Sequence, residues 1–468
     1  MSNFITKCAV VAHSRPIMKI AIVGAGWAGM AAAVAATQAG HHATVFEASR
    51  AVGGRARALK GTLPDGTEVL LDNGQHILIG AYRDTLAFMR TVGVDPDTAL
   101  LRLPLTLQFP DGDGLALPRW PAPLDALWGI ARARGWSAAD KWSLIKTSLA
   151  WQRWGFACAA QTAVADLCQG MRPAVFATLI EPLCVSALNT PAAQASGQVF
   201  LRVLRDSLFG GSGSSHLLLP RVDLSALFPQ VAADWLQARG GVMRLGERVD
   251  TLAALEPSAG QTTGQAAGGW LVQGQTFDAV VWATSSSNAA QALAQSAQAA
   301  PISIAPALQQ WAATAQALQY EAIATVYAYA PGLRLPQPML ALRSSATEPA
   351  QFVFDRGQLG GPQGLLALVV SASQGERELL QSQVLTQAQA QLKELLAGRS
   401  LQAVQTVVEK RATFACTPAL VRPPQHIAEG LVACGDYVEG PYPATLEGAV
   451  RSGVAAISAA TSAARLAA

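Results

Sequence analysis

Charge is scarce in this chain. Only 14% of its 468 residues are Asp, Glu, Lys or Arg, against roughly 25% in an average soluble protein. Hydrophobic residues make up 51%. A disordered chain needs the opposite balance, so that class is excluded. The net charge is +3, from 34 basic and 31 acidic residues, too small for a general nucleic-acid binder. Six cysteines are scattered at 8, 158, 168, 184, 416 and 434 with no CxxC. They make no disulfide framework and fit a reducing compartment. Six histidines lack HxxxH and HExxH spacing, which argues against a catalytic zinc and leaves no metal to expect. No run of eighteen uncharged apolar residues reads as a membrane span. The nearest candidate, residues 20–39, is interrupted by Gly24, Gly26 and Gly29. The apolar stretch at residues 8–12 is too short for a signal peptide. A cytoplasmic protein is expected, with residues 1–17 either a disordered extension or the product of an upstream start choice, ahead of a domain that starts at Met18. The length suggests about two or three domains and a large core.

The chain's first strong pattern is one βαβ unit. Residues 19–23 are a short apolar run, as in a buried parallel strand. Gly24-Ala25-Gly26-Trp27-Ala28-Gly29 follows, then the Ala-rich, helix-favouring residues 30–39, closed by Gly40. Residues 43–46 read as a second strand ending at Glu47. The three glycines allow, in turn, a tight turn, close approach of backbone to a pyrophosphate, and close helix–sheet packing. The helix N-terminus offers free N–H groups to phosphate. Glu47 stands 18 residues after Gly29, where a carboxylate accepts from ribose hydroxyls and disfavours a 2′-phosphate. GxGxxG alone is a weak signal; strand, helix and acid together favour a dinucleotide.

Two further elements narrow the dinucleotide. Gly53-Gly54-Arg55-Ala56-Arg57 follows Glu47 closely, offering glycines that lie flat on a ligand and an Arg suited to diphosphate. Gly435-Asp436 follows an apolar run at 431–434, read as a last buried strand. Then comes Pro443-Ala444-Thr445-Leu446-Glu447-Gly448, ahead of a helix from residue 447. Between these ends, residues 82–210 read as largely helical, broken by prolines at 118–123. A helix is expected at 224–239, and strands at 242–249 and 270–283 around a hairpin tip at 256–269. Helices within 285–319, strands at 322–330 and 365–371, and a helix at 376–397 complete the reading.

These three motifs together resemble the flavin-dependent amine oxidase and phytoene desaturase superfamily. The resemblance implies an α/β fold: a Rossmann-like FAD domain assembled from residues 18–85, 215–290 and 405–468. A mixed α+β substrate domain with a helical cap would span 86–214 and 291–404. FAD is the implied cofactor. Gly24, Gly26, Gly29 and Glu47 would hold its ADP half, Gly54 and Arg55 its diphosphate, and Gly435 and Asp436 its ribityl chain and diphosphate. Thr445 and Leu446 would approach the flavin pyrimidine, and a backbone group of Val249 would meet adenine. Asp436 could instead cap a turn, and Arg57 could lie at the surface.

Three more stretches are distinctive: residues 72–80 (DNGQHILIG), 181–191 (EPLCVSALNTP) and 217–224 (LLLPRVDL). With Tyr442 to Gly448 they look like the squalene-associated FAD-dependent desaturases, understood as hydroxysqualene dehydroxylases of bacterial squalene and hopanoid synthesis. That likeness implies hydride delivery from reduced FAD to an allylic C30 alcohol, with loss of water. It also implies a polyprenyl substrate and association with squalene-pathway enzymes. Such chemistry needs an acid for the departing hydroxide and an apolar tunnel. His76 is the first candidate acid, because imidazole transfers protons near neutral pH; hydrogen bonding to cofactor or backbone is its alternative role. Glu181, Asn189, Arg221, Asp223 and Tyr442 are second-rank pocket candidates, and Glu181 and Asp223 could equally cap helices. Ser285-Ser286-Ser287 replaces paired prolines common in the superfamily. No second GxGxxG follows a strand, so reductant reaches the flavin through the same cleft or from another protein. A carotenoid-type desaturase or an amine oxidase using oxidised FAD stays open, as does a non-catalytic FAD-stabilised scaffold.

Six of the 11 Trp fall at 120, 128, 136, 142, 151 and 154, interleaved with Arg119, Arg132, Arg134, Lys141, Lys146 and Arg153. Trp with basic residues on helices suits a membrane interface. Peripheral contact with the inner membrane and a Trp-lined pocket or core are both compatible with the pattern.

Overall fold

A computed structural model describes residues 16–121, 123–255 and 269–466. The chain's two main sheets use eleven strands. They are β1 (Lys19–Val23), β2 (His42–Glu47), β3 (Val242–Leu245), β4 (Ala279–Trp282), β5 (Tyr320–Tyr329), β6 (Met339–Ala341), β7 (Phe352–Asp355), β8 (Leu365–Ser373), β9 (Gln402–Phe414), β10 (His426–Ala428) and β11 (Leu431–Ala433). Seven helices matter below: α1 (Trp27–Gln38), α2 (Leu124–Arg132), α3 (Ala138–Arg153), α4 (Glu181–Leu188), α5 (Gly197–Leu208), α6 (Ser286–Ser296) and α7 (Leu446–Leu466).

The first sheet runs β3-β2-β1-β4-β11-β10 and is parallel except for the last pair. Its central strands are apolar along their length because helices cover both faces. Three distant stretches of chain therefore build one sheet. α1 is buried on nearly every side, between this sheet and α7. Its alanines permit that closeness. At Gly453 of α7 a Cβ would lie 2.2 Å from the Ala28 carbonyl oxygen, so no side chain fits there.

The second sheet, β6-β7-β8-β5-β9, is antiparallel. One face carries Tyr327, Phe352, Phe354 and Val369 toward the main core. The other packs Val326, Val353 and Leu368 on residues 380–396. β9 pairs along its length with β5, so residues 405–414 lie in this sheet.

Several local expectations change. The stretch 82–210 also holds short strands at Leu100–Leu103, Thr106–Gln108 and Gly114–Ala116. The first pairs with Leu217–Pro220, more than a hundred residues away, a partner invisible to local pattern. The helix expected at 224–239 is two helices, Leu224–Leu227 and Pro229–Gln237. Pro229 has no N–H to continue the first and opens the second. The strand expected at 242–249 ends at Leu245, where Gly246 turns with φ +79°. Val249 therefore sits in a loop. Residues 270–283 form three short strands, and most of the hairpin tip, 256–268, lies outside the described residues, as does most of the 1–17 extension.

Candidate flavin and substrate cleft

A cleft of about 690 Å³ lies between the two sheets and the helices α4 and α5. One end is built by the C-terminal ends of β1 and β2. Gly24, Gly26, Glu47, Gly54, Arg55, Val249, Gly435, Asp436, Thr445 and Leu446 all line it. Gly29 does not line it; a Cβ there would lie 1.9 Å from the Gly24 carbonyl oxygen, so its role is packing. A Cβ on Gly26 would meet no protein atom within 4 Å, leaving open space above the N-terminus of α1.

The glycine loops are tied together. The Gly53 N–H donates to the Ala25 carbonyl at 2.8 Å, and Gly54 takes a left-handed φ of +59°. Asn73 clamps the same loop, accepting from the Arg57 N–H at 2.9 Å and donating to the Arg55 carbonyl at 2.8 Å. Glu47 accepts from the N–H of Ala25 and of Ser49, each at 2.8 Å. A carboxylate has about four lone-pair sites, so two hydroxyls can still be received. Arg55 pairs with Asp436 and donates to the Ala412 carbonyl at 2.6 Å. The second and third motifs thus meet directly.

Tyr437 carries the clearest sign of a missing partner. Its ring is 1% exposed, it lines the cleft, and its hydroxyl has no hydrogen-bond partner. Burial pushes its pKa well above the usual phenol value, so it remains a donor. A buried orphan donor costs about 1–3 kcal/mol, and a phosphate or hydroxyl acceptor would remove that cost. Gly26's open space, Glu47's spare acceptor sites and this phenol fit a dinucleotide.

The other end of the cleft is apolar. Ile77, Ile79, Leu105, Leu183, Ala187, Val199, Val203 and Leu217 line it, with Ile323, Phe352 and Val369 from the second sheet. His76 sits half-buried between the two ends, its Nδ1 2.8 Å from the Gly74 carbonyl. Burial lowers its pKa, the Gly74 bond opposes this, and Arg55 adds to the lowering. Behind this loop, Asp72 accepts from the Leu224 N–H at 2.8 Å and lies 3.6 Å from the Arg356 guanidinium. Burial raises its pKa to about 6, against the pull of Arg356. Arg356 also donates to Gln75 at 3.1 Å, and Gln75 lines the cleft.

The second-rank candidates divide. Asn189 lines the cleft, accepting from the Ala372 N–H at 2.7 Å and donating to Thr413 at 2.9 Å. Tyr442 also lines it and donates to Asp206 at 2.9 Å. Glu181, Arg221 and Asp223 do not line it. Glu181 accepts from the Ala192 N–H at 3.3 Å and caps no helix. Arg221 is exposed, and Asp223 caps Leu224–Leu227. Sequence reading missed Tyr437 and Asp206. It also missed Asn288, Gln291 and Gln295, whose spacing on α6 turns one polar face to the Val249 end. That periodicity is present in the sequence. Ser285 caps α6, accepting from the Asn288 N–H at 3.4 Å, which gives the departure from proline a local reason.

None of the six clustered Trp lines the cleft. Trp136 and Trp151 are core residues, at 8% and 3% exposure. Their indoles donate to Thr178 at 2.9 Å and to the Leu167 carbonyl at 3.3 Å. Trp120, Trp128, Trp142 and Trp154 are exposed.

A glycine loop at a strand–helix junction, closed by a late Gly-Asp turn, defines an FAD-binding oxidoreductase fold. The sequence profile of the flavin containing amine oxidoreductases matches residues 27–459, and the chain belongs to that family. Its cofactor is FAD. Cyclohexylamine oxidase from Brevibacterium oxydans shares the fold, with a TM-score of 0.64 at 15% identity, over 96% of this chain and 99% of that one. Within the family, the chain groups with proteins named hydroxysqualene dehydroxylase. That of Rhodopseudomonas palustris is 30% identical over 92% of this chain and 96% of its own length. That of Sinorhizobium fredii is 27% identical over 92% and 95%.

Proposed function

We propose that this enzyme converts hydroxysqualene to squalene in squalene and hopanoid synthesis. The observation that carries the reading is a single cleft with a polar, glycine-lined end and an apolar end. The names of the full-length relatives point to the same substrate. Bound FAD, in reduced form, supplies the hydride for the allylic carbon.

The chain's own residues do the rest. Gly24, Gly26, Gly54, Glu47, Arg55, Gly435, Asp436 and Tyr437 would hold the dinucleotide, with Thr445 and Leu446 toward its flavin half and Val249 toward its adenine half. Ile77, Ile79, Val199, Val203 and Leu217 take the polyprenyl chain and exclude water from the developing positive charge. His76, at the junction, faces the departing hydroxyl and gives it a proton. Burial lowers its pKa, so the imidazolium gives up its proton readily but is less populated at neutral pH than below it. The second substrate is a reductant arriving through the same cleft or on another protein. The four exposed Trp and their basic neighbours support peripheral contact with the cytoplasmic face of a membrane, where the enzyme would work beside the other squalene-forming enzymes. Among the described residues no helix is long and apolar enough to cross a membrane, so contact is peripheral.

The test is anaerobic incubation of chemically reduced holoenzyme with hydroxysqualene, followed by mass spectrometry. Squalene supports the reading. Desaturated polyenes, or no conversion by flavin-loaded enzyme, reject it.

A further inference from the structure

We infer that Gln75 is the residue by which the cleft recognises the hydroxyl group of its substrate, its side-chain amide held by Arg356 so that an N–H, and not the carbonyl, faces the cleft. The inference rests on the hydroxysqualene reading above and names the group that tells the alcohol from the hydrocarbon product.

Residues 72–76 follow the glycine loops in the chain, yet they are fastened to the second sheet. The Tyr327 hydroxyl donates to the Asp72 carbonyl at 2.8 Å and accepts from the Asp72 N–H at 3.1 Å. The Gln75 backbone N–H donates to Thr325 Oγ1 at 3.4 Å. On β5, Thr325 stands opposite Val369 of β8, and Val369 stands opposite Phe352 of β7. Cross-strand partners point to the same face of a sheet, and Val369 and Phe352 line the apolar end of the cleft. Gln75 is thus fixed against the apolar wall, next in sequence to His76, and it lines the cleft itself.

The orientation of the amide follows from the chemistry of its neighbour. Arg356, directly after β7, is 4% exposed and donates from a terminal nitrogen to Gln75 Oε1 at 3.1 Å. A guanidinium has donors and no acceptor, so the amide oxygen must face it and the amide nitrogen must face away. One N–H of that nitrogen reaches the His76 carbonyl, at a long 3.3 Å. The other has no protein partner among the described residues. Arg356 itself is poorly placed as a stabiliser. Asp72 lies 3.6 Å from it and its Nε has no partner, and a buried ion pair is weak evidence of stability. Its contact with Gln75 gives it a use: Arg356 is a positioning residue.

A donor in this place suits one lone pair of the substrate hydroxyl, while the His76 proton goes to the other. The C–O bond breaks with its electron pair on oxygen, and the proton joins that oxygen to release water. The carbon takes the hydride that reduced FAD supplies, the flavin being oxidised. The Gln75 N–H stabilises the charge that builds on the departing oxygen. Squalene offers it no acceptor, so the product leaves a polar group unpaired and is held less tightly than the substrate.

The test uses full-length, FAD-loaded protein in its oxidised form, which has no hydride to give. Equilibrium binding of tritiated hydroxysqualene and of tritiated squalene from detergent micelles is measured. Wild type is expected to hold the alcohol about tenfold more tightly than the hydrocarbon. Gln75→Met, similar in length and without a donor, is expected to hold the two alike, with squalene bound at least as tightly as by wild type. Arg356→Met loses the preference too, and Arg356→Lys, which keeps a cation that only donates, retains most of it. Flavin content and melting temperature show which variants are folded. Equal binding of the two ligands by wild type overturns the proposal, whether or not any variant folds. So does a tenfold preference kept by either Met variant, including one that binds both ligands more weakly in equal proportion. Failure of the squalene reading shows separately, as no squalene formed from hydroxysqualene by reduced wild type.

Discussion

The guanidinium of Arg55 pairs with the carboxylate of Asp436 across 381 residues of sequence. This contact joins the loop behind the first βαβ unit to the turn after β11. Replacing Asp436 with Ala leaves a partly buried cation without its partner, and removing one member of such a pair is strongly unfavourable. The Asp436→Ala protein is expected to hold FAD at least tenfold more weakly. The flavin-to-protein absorbance ratio after gel filtration reads this.

Tyr437 behaves differently. Its hydroxyl has no partner within the protein, so Tyr437→Phe removes an unsatisfied donor and costs the apoprotein nothing. The melting temperature of flavin-free protein should stay level or rise. FAD affinity should fall about tenfold, equivalent to roughly 1–1.5 kcal/mol for one lost hydrogen bond. Equal losses in both measurements would mean that the hydroxyl serves the fold rather than the cofactor.

His76 gives a pH signature. Its pKa lies below 6.5 because burial disfavours the imidazolium. If the imidazolium is the acid, kcat/KM of the reduced enzyme rises as pH falls through 6.5 and levels off below the lowered pKa. His76→Gln keeps the flavin, lowers turnover about 10²-fold or more, and loses that limb. A rate independent of pH in wild type assigns the proton to another group.

Asp72 works in the opposite sense on stability. Its folded pKa of about 6 is above the ordinary 3.8. Between those values the folded state binds more proton than the unfolded one, so this group's contribution to stability falls as pH rises toward 6 and is constant above. Asp72→Asn removes the dependence. Moving from pH 5 to pH 7.5 should therefore favour the variant over wild type by about 1 kcal/mol, read as the difference between their unfolding curves.

The Trp cluster divides by burial. Trp128→Ser with Trp142→Ser should reduce flotation with anionic liposomes and leave the melting temperature nearly unchanged. Trp151→Ser should lower the melting temperature, because loss of a buried aromatic costs about 3–5 kcal/mol. Flotation unchanged in the first protein would remove these two side chains from the membrane face.

The local features of this molecule were legible in its sequence because their causes are local. The GxGxxG loop, the helix α1 and the strand ending at Glu47 depend on neighbouring residues and on backbone sterics. The FAD class follows from those motifs and their order. Tertiary structure decided what depends on distant partners. Leu100–Leu103 is a strand because Leu217–Pro220 comes to pair with it. Arg55 meets Asp436, Asp72 is buried beside Arg356, and the Tyr437 hydroxyl is left for a ligand. Trp151 shares α3 with Trp142, yet it enters the core while Trp142 faces outward. A side chain's type states what it can bury or bond; only the path of the rest of the chain determines whether a partner is there.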